Sequence, residues 1–163
     1  MRHDDSPAAD RLPPAGGLRF AIIVSRFNES VTSRLRDGAR AALAEAGAAD
    51  EHVELFEVPG AFELPQAARC AAEGGRFDAV VCLGCVIRGE TPHFEYIASS
   101  VAHGIQEASG ETGVPIAFGV LTTDTLAQAE ARAAGGRANK GFEAAAAAIE
   151  MATLFRRLRG KER

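Results

Sequence analysis

Residue types suited to acid/base catalysis and to anion binding stand close together between Cys85 and Tyr96, where the sequence reads CVIRGETPHFEY. His93 is the acid/base candidate, because a histidine side chain has a pKa of about 6.5 and can both donate and accept a proton at neutral pH. The small residue Gly89 lets the backbone approach a phosphate closely, and the amides at the start of a helix attract negative charge. The segment therefore predicts phosphate binding beside proton transfer. The alternative is a histidine that only occupies the first turn of a helix.

These residues must be positioned by a strand before them and a helix after them. The apolar run DAVVCL at residues 78–83 predicts the strand, which we expect to end at Gly84. The helix is expected to begin with Glu90 or Thr91 as its cap and with Pro92 near its first position. The histidine then lies within one turn of an anion site at the helix N-terminus.

The chain after residue 17 alternates short apolar runs with helical patterns. The strands are predicted at residues 18–24, 53–58, 78–83 and 115–121, with helices between them. Strands joined by helices within one sheet must be parallel, with right-handed crossovers. The pattern predicts an α/β fold, a three-layer αβα sandwich around a four-stranded parallel sheet. Such sheets bind ligands at the carboxyl ends of their strands.

The first and the last helical patterns are rich in alanine. The first follows Asn28, which can cap it, and stops before Gly47. The last follows a glycine pair at 135 and 136 and places these apolar side chains on one face: Phe142, Ala145, Ala146, Ile149, Ala152 and Phe155 or Leu158. Small side chains let a helix lie close to a sheet, and an alanine-rich surface can also be buried against another subunit.

Two phenylalanines stand in the loops that follow predicted strands, where polar residues are more usual. Phe27 lies in SRFN after the first strand, and Phe62 lies in PGAFE after the second. Each either covers the end of the core or binds a ligand. A planar ligand can stack on an exposed aromatic ring, so Phe27 is a candidate binding residue.

Length and charge exclude several classes of protein. At 163 residues the chain is long enough for one domain with its own core. We expect a flexible arm over residues 1–17 and a single domain over residues 18–163. The net charge of −4, with no basic stripe, argues against nucleic-acid binding. With neither an apolar run long enough to span a membrane nor the apolar core of a signal peptide, we expect a cytoplasmic protein without a membrane partner.

The three cysteines predict neither a disulfide framework nor a structural zinc site. Cys82 and Cys85 form a C-x-x-C pair, which can be redox-active beside a βαβ unit. Redox pairs gain reactivity at a helix N-terminus, whereas Cys82 lies inside an apolar strand. We therefore expect core cysteines and no bound metal.

Several blocks of the sequence, in order, resemble the lumazine synthases: SRFN, VPGAFELP, LGCVIRGETPHFEY, PIAFGVLTTDT, and NKG followed by AAAAAIEM. The resemblance covers nearly the whole chain after Leu18 and implies a flavodoxin-like fold. It also implies a transferase of riboflavin biosynthesis that carries out the penultimate step. This family condenses 5-amino-6-(D-ribitylamino)uracil with 3,4-dihydroxy-2-butanone 4-phosphate. The products are 6,7-dimethyl-8-ribityllumazine, phosphate and water, and neither a metal nor an organic cofactor is needed.

The resemblance implies roles for particular residues. His93 matches the proton donor and acceptor, Phe27 the residue that stacks on the pyrimidine ring, and Arg132 the phosphate-binding arginine. The other matched substrate-binding positions are Ala61, Phe62 and Glu63 along the ribityl chain, Cys85, Val86 and Ile87 at the uracil edge, Glu90 and Thr91 at the phosphate, and Phe118. Arg137 departs from the family pattern, because the basic residue of this loop is shifted by one position, whereas Lys140 still matches.

The resemblance further implies a homo-oligomer built of pentamers, in which Phe118 and Arg132 reach into the active site of a neighbouring subunit. The segment ARAAGGRANKG has the length of shell-forming relatives, which favours a closed shell of twelve pentamers over a free pentamer or decamer. Three other interpretations compete: an electron carrier that uses Cys82 and Cys85, a shell protein that has lost catalysis and serves as a cage or carrier, and a riboflavin synthase of similar fold. The electron carrier is disfavoured because a flavin carrier needs a phosphate-binding loop directly after the first strand, where SRFN has no glycine and no Ser/Thr cluster. The second is disfavoured because the matched site residues are all present.

Overall fold

The computed structural model describes residues 11–161 of the chain. The strands in this part are β1 (Phe20–Ser25), β2 (Val53–Val58), β3 (Ala79–Ile87) and β4 (Ile116–Thr123). The α-helices are α1 (Glu29–Glu45), α2 (Leu64–Glu73), α3 (His93–Thr112), α4 (Leu126–Arg132) and α5 (Lys140–Leu158). Two 3₁₀ turns, Asp50–His52 and Ala61–Glu63, precede β2 and α2. None of the helices within residues 11–161 has the length and apolar character needed to cross a membrane.

The four strands form one parallel sheet in the order β2–β1–β3–β4. Helices α1, α4 and α5 cover one face, and α2 and α3 cover the other. The predicted α/β fold, with three layers and a four-stranded parallel sheet, is confirmed. Because every strand runs in the same direction, the loops that follow the strands gather at one edge of the sheet.

The sequence of strand β1 is apolar from Phe20 to Val24 and has no polar alternation. All six of its residues are buried. Phe20, Ile22 and Val24 pack in the core under α1 and α5, whereas Ala21 and Ile23 pack in the core under α2 and α3. A strand that is buried on both faces has no polar alternation, as is typical of the centre of a parallel sheet.

Strand β3 is longer than predicted. It continues through Gly84, so the prediction that it ends there is wrong, and its ladder with β4 runs on to the pair Ile87 and Thr123. Gly84 serves packing instead. A Cβ atom at this position would lie 3.0 Å from Leu64 Cδ1 and 3.2 Å from Ser25 Oγ, so a glycine lets α2 pack closely against the sheet. Strands β1 and β4 differ from their predicted bounds by one or two residues at each end.

Two helices begin differently from the predictions. Helix α3 begins at His93 with Pro92 in the N-cap position and no side-chain cap, so the prediction that Glu90 or Thr91 caps it is wrong. Asn28 stands at the N-cap position of α1, but its side chain makes no capping hydrogen bond. Its backbone is left-handed, with φ of 62°, which asparagine tolerates better than most residues. Its side-chain amide points to β3 instead.

The described residues before β1 pack against the domain. Leu12 and Ala15 are buried in the core under α1 and α5. Ala15 N donates a 2.8 Å hydrogen bond to Ala46 O at the end of α1. Apolar contacts and a backbone hydrogen bond therefore join residues 12 and 15 to the domain, and the division into an arm over residues 1–17 and a domain over residues 18–163 stays a prediction. Residues 1–10 of the predicted arm lie outside the described residues.

Candidate functional site

A cavity of about 350 Å³, here called the first cavity, opens at the carboxyl edge of the sheet. Its lining comes from the loops after β1 and β2, from the end of β3 and from the start of α3. The lining residues are Phe27, Gly60, Ala61, Phe62, Cys85, Val86, Ile87, Gly89, Thr91, His93, Phe94 and Ile97. The structure therefore brings most of the predicted site residues into one place.

Two of the three phenylalanines that line the first cavity, Phe27 and Phe62, come from the loops after β1 and β2. Phe27 is 70% exposed and Phe62 is 59% exposed, so neither covers the end of the core. The backbone of the first loop is held to the end of β2, because Arg26 N donates to Val58 O at 2.8 Å and Phe27 N donates to Pro59 O at 3.1 Å. Exposed aromatic rings on loops tied in this way offer apolar faces to a planar ligand.

Asn28 ties the loop after β1 to strand β3. Its Nδ2 donates a 3.0 Å hydrogen bond to the carbonyl oxygen of Cys85, 57 residues further along the chain. This bond holds Phe27 beside the end of β3. Sequence reasoning missed the role, because the partner is a backbone carbonyl on a distant strand. The sequence signal for this role is the residue type, because asparagine tolerates the left-handed conformation better than most residues.

The two strand cysteines are poor candidates for redox chemistry. Cys82 packs in the core under α2 and α3, whereas Cys85 packs in the core under α1 and α5, so the two thiols lie on opposite faces of β3. Burial raises the pKa of Cys82 to about 12 and the pKa of Cys85 to about 11. Both thiols are therefore protonated at neutral pH, where the nucleophilic thiolate is scarce. This arrangement disfavours the electron-carrier interpretation.

Thr91 and His93 lie where the loop after β3 enters helix α3. Both residues are exposed, and both line the first cavity. The first amide groups of a helix have no partners within it, so the N-terminus of α3 attracts anions to the same place. As the first residue of α3, His93 can exchange protons with a ligand held there. The N-terminus of α3, a histidine side chain and aromatic rings therefore share the first cavity.

A charged cluster lies beside the first cavity. Arg88 Nε donates to Asp124 Oδ1 at 2.8 Å, and Arg88 Nη1 donates to Glu95 Oε1 at 3.4 Å. The guanidinium carbon lies 4.7 Å from the centre of the Phe94 ring, which lines the cavity. Hydrogen bonds with Asp124 and Glu95 raise the pKa of Arg88 above its ordinary value. Sequence reasoning did not identify this cluster.

Four predicted site residues do not line the first cavity, and two of them, Glu63 and Glu90, lie in the turns beside it. The Glu63 carboxylate accepts a 3.0 Å hydrogen bond from Gly60 N and so closes the turn that carries Ala61 and Phe62. Glu90 is exposed in the loop before α3. For both residues, contact with a substrate stays a prediction.

Phe118 and Arg132 lie elsewhere, in a second cavity of about 480 Å³ lined by β4, α4 and α5. Its lining includes Lys140 and Glu143, whose side chains form a 2.9 Å ion pair. Arg132 Nη1 donates to Gln128 O at 3.2 Å. The predicted site residues that line a cavity thus form two sets on one chain, one set for each cavity.

A buried asparagine holds the turn between α4 and α5. Asn139 Oδ1 accepts hydrogen bonds from the amides of Gly141 (2.8 Å) and Phe142 (3.1 Å), which caps α5. Asn139 Nδ2 donates to Ala133 O at 3.0 Å and to Arg34 O at 3.1 Å. One side chain therefore links α4 and α5 to α1, and it fixes the turn between the two basic residues of the second cavity.

The shifted basic residue Arg137 points away from the second cavity. Its Nη1 lies 2.8 Å and 2.6 Å from the two carboxylate oxygens of Glu45 on α1. Its guanidinium carbon lies 5.0 Å from the centre of the Phe142 ring. Arg132 and Lys140, rather than Arg137, supply positive charge to the second cavity.

Known proteins are similar to this chain over most of its length. The family model described as 6,7-dimethyl-8-ribityllumazine synthase matches residues 17–156, a range that contains the lining of both cavities. A relative from Syntrophus aciditrophicus (strain SB), named 6,7-dimethyl-8-ribityllumazine synthase, is 56% identical over 144 residues, which are 88% of this chain and 94% of the relative. The chain therefore belongs to the 6,7-dimethyl-8-ribityllumazine synthase family.

Proposed function

We propose that this chain condenses 5-amino-6-(D-ribitylamino)uracil with 3,4-dihydroxy-2-butanone 4-phosphate. The products are 6,7-dimethyl-8-ribityllumazine, phosphate and water, and the reaction is the penultimate step of riboflavin biosynthesis. One observation carries the proposal. The first cavity joins an aromatic ring, a helix N-terminus and His93 in a chain that belongs to the lumazine synthase family.

The pyrimidine ring of the first substrate stacks on Phe27 in the proposed complex. Offset stacking of this kind contributes about 0.5–1.5 kcal/mol beyond the area that it buries. Backbone groups recognise the uracil edge, because the side chains of Cys85, Val86 and Ile87 offer no strong hydrogen-bonding groups. This backbone recognition is compatible with the high pKa of the Cys85 thiol, which keeps it uncharged.

The ribityl chain lies along Ala61 and Phe62 in the proposed complex. Glu63 supplies an acceptor for its hydroxyl groups. The carboxylate accepts one hydrogen bond from Gly60 N, and an ionised carboxylate has acceptor capacity beyond a single bond. The same bond sets the direction of the Glu63 side chain, so the turn and the acceptor are positioned together.

The phosphate of the second substrate binds at Thr91 and the N-terminus of α3. Glu90 directs its carboxylate away from this place, because two anions repel each other. His93 then relays protons while the amine adds to the ketone, phosphate leaves and the ring closes. No metal and no organic cofactor takes part in the proposed reaction.

We further propose that two chains form each active site. The two cavities share no lining residue, and the Phe118 ring in the second cavity is 46% exposed. A neighbour that sets its second cavity against the first would add this ring and the Arg132 guanidinium, which can grip a phosphate through two N–H donors. A single chain would then be inactive.

The proposed assembly is a homo-oligomer built of pentamers, closed into a shell because of the short turn between α4 and α5. Exposed apolar side chains on α5, among them Met151 and Leu154, support burial against another subunit. We propose the cytoplasm as the place of reaction, since both substrates are polar small molecules.

Absorbance and fluorescence of the product test the proposed function. The purified chain, mixed with both substrates, should form the lumazine at least several-fold faster than the spontaneous reaction. His93→Ala should lower kcat by about a hundredfold without abolishing it, because the substrates are still held in place. His103→Ala, an exposed histidine on α3 that does not line the first cavity, is the matched control and should leave kcat unchanged. No acceleration by the unchanged chain, or equal turnover of His93→Ala at saturating substrate, would contradict the proposal.

A further inference from the structure

Arg88 connects the two loops that follow β3 and β4. Its backbone amide donates to Thr123 O at 2.8 Å. Its guanidinium reaches Asp124 at 2.8 Å, just after β4, and Glu95 at 3.4 Å, in the first turn of α3, and it also lies over the Phe94 ring. The planar guanidinium has donors in several directions, whereas a lysine has a single compact ammonium group. An arginine can therefore hold both carboxylates from one position.

The Asp124 end of this bridge is itself held in place. Asp124 N donates to Gln128 Oε1 at 2.8 Å, and Gln128 N donates to Thr125 Oγ1 at 3.1 Å, which caps α4. Thr123 Oγ1 donates to Thr125 O at 2.9 Å. Three side-chain hydrogen bonds therefore hold the turn between β4 and α4 in one conformation. The loop before α3 has exposed residues and no side-chain cap on the helix that follows.

We propose that Arg88 is a positioning residue for His93, because it holds the first turn of α3 against the turn between β4 and α4. The inference rests on the proposed function, since the position of His93 matters where this side chain transfers protons to a bound substrate. Proton transfer requires donor and acceptor within hydrogen-bond reach, and a small misplacement lowers the rate by a large factor. Arg88 does not line the first cavity, so its effect passes through α3 rather than through contact with substrate.

The test compares Arg88→Gln, Asp124→Asn and the double variant of the full chain. Each single substitution should lower kcat about tenfold and leave both KM values within about twofold. The double variant should also lose about tenfold rather than a hundredfold, because both changes remove the same bridge. Arg88→Lys should recover little of the lost kcat, since one ammonium group does not replace the guanidinium fork.

Arg69→Gln is the matched control. Arg69 also joins two carboxylates from different helices, Glu73 on α2 at 3.2 Å and Glu111 on α3, and it is similarly exposed. It does not line the first cavity. Exposed ion pairs contribute little to folding stability, so Arg69→Gln and Arg88→Gln should shift the melting temperature by similar small amounts. Only Arg88→Gln should lower kcat.

Two kinetic results would overturn the inference: a kcat of Arg88→Gln within about twofold of the unchanged chain, or a raised KM for the butanone phosphate at unchanged kcat, which would make Arg88 a phosphate ligand. A crystal structure of Arg88→Gln supplies a readout that does not depend on the reaction. His93 should occupy a displaced position or several positions, and superposition on the unchanged chain would overturn the inference. If the unchanged chain does not accelerate the condensation, the proposed function fails, and this structural comparison decides whether the bridge positions His93.

Discussion

Replacing Asn139 by alanine should release the turn between α4 and α5. The substitution removes the side-chain cap of α5, a change that costs about 1 kcal/mol. It also leaves the carbonyl groups of Ala133 and Arg34 without the Nδ2 donor, and each of these bonds is worth about 1 kcal/mol. The free energy of opening this turn should therefore fall by about 3 kcal/mol, or roughly a hundredfold in the opening equilibrium.

Hydrogen exchange measures this opening, because the amides of Gly141 and Phe142 exchange with solvent when the turn opens. Mass spectrometry of peptides that cover residues 134–142 should show exchange about a hundredfold faster in Asn139→Ala than in the unchanged chain. Thr125→Ala is the matched control, because Thr125 caps α4 through one 3.1 Å bond from Gln128 N. Its loss should speed exchange at the start of α4 only about fivefold. An exchange rate of the turn in Asn139→Ala within a few-fold of the rate in the unchanged chain would refute the free energy of about 3 kcal/mol expected from the four hydrogen bonds.

Other parts of the structure lead to three more predictions. Arg132→Ala should mainly raise the KM for the butanone phosphate, because the guanidinium is the proposed phosphate ligand, and an effect confined to the uracil substrate would contradict that role. Thiol alkylation of the folded chain at pH 8 should modify the exposed Cys70 and spare Cys85, because a pKa of about 11 leaves about one Cys85 thiol in a thousand ionised. The rate at Cys85 should rise about tenfold for each pH unit between pH 8 and its pKa, and equal rates for the two thiols at pH 8 would disprove this. Gly141→Ala should destabilise the fold by about 1–3 kcal/mol, since a Cβ atom there would overlap the backbone of α1. The control is Gly110→Ala on α3, where the added Cβ faces open space, and it should be neutral or slightly stabilising. Equal melting temperatures for the two variants would contradict the expected overlap between α5 and α1.

The elements could be predicted because apolar runs and helical patterns are local properties of the sequence. Strand β2 occupies residues 53–58, as predicted from its own six residues. Parallel strands that share a sheet end at the same edge, so the loops that follow them lie close together. This rule predicts that one cavity is lined by Phe27, Phe62 and His93.

The missed features depend on partners that are distant in the sequence. Gly84 looked like the end of a strand, but its role is set by the packing of α2 and by the ladder with β4. Arg88 and Asp124 are 36 residues apart, and they pair only because β3 and β4 are neighbours in the sheet. Asn28 looked like a helix cap until its partner on β3 was known. In each case the tertiary register, rather than the local sequence, decides the contact.

Complementation between two variants tests most directly whether an active site is shared by two chains. His93→Ala damages the first cavity and Arg132→Ala damages the second, so each variant alone should form the lumazine slowly at low butanone phosphate. When the two are co-expressed and assemble at random, about a quarter of the sites should pair an intact first cavity with an intact second cavity from the neighbour. The mixed assembly should then form the lumazine at roughly a quarter of the rate of the unchanged chain, well above the mean of the rates of the two variants. A rate equal to that mean would contradict a site built from two chains.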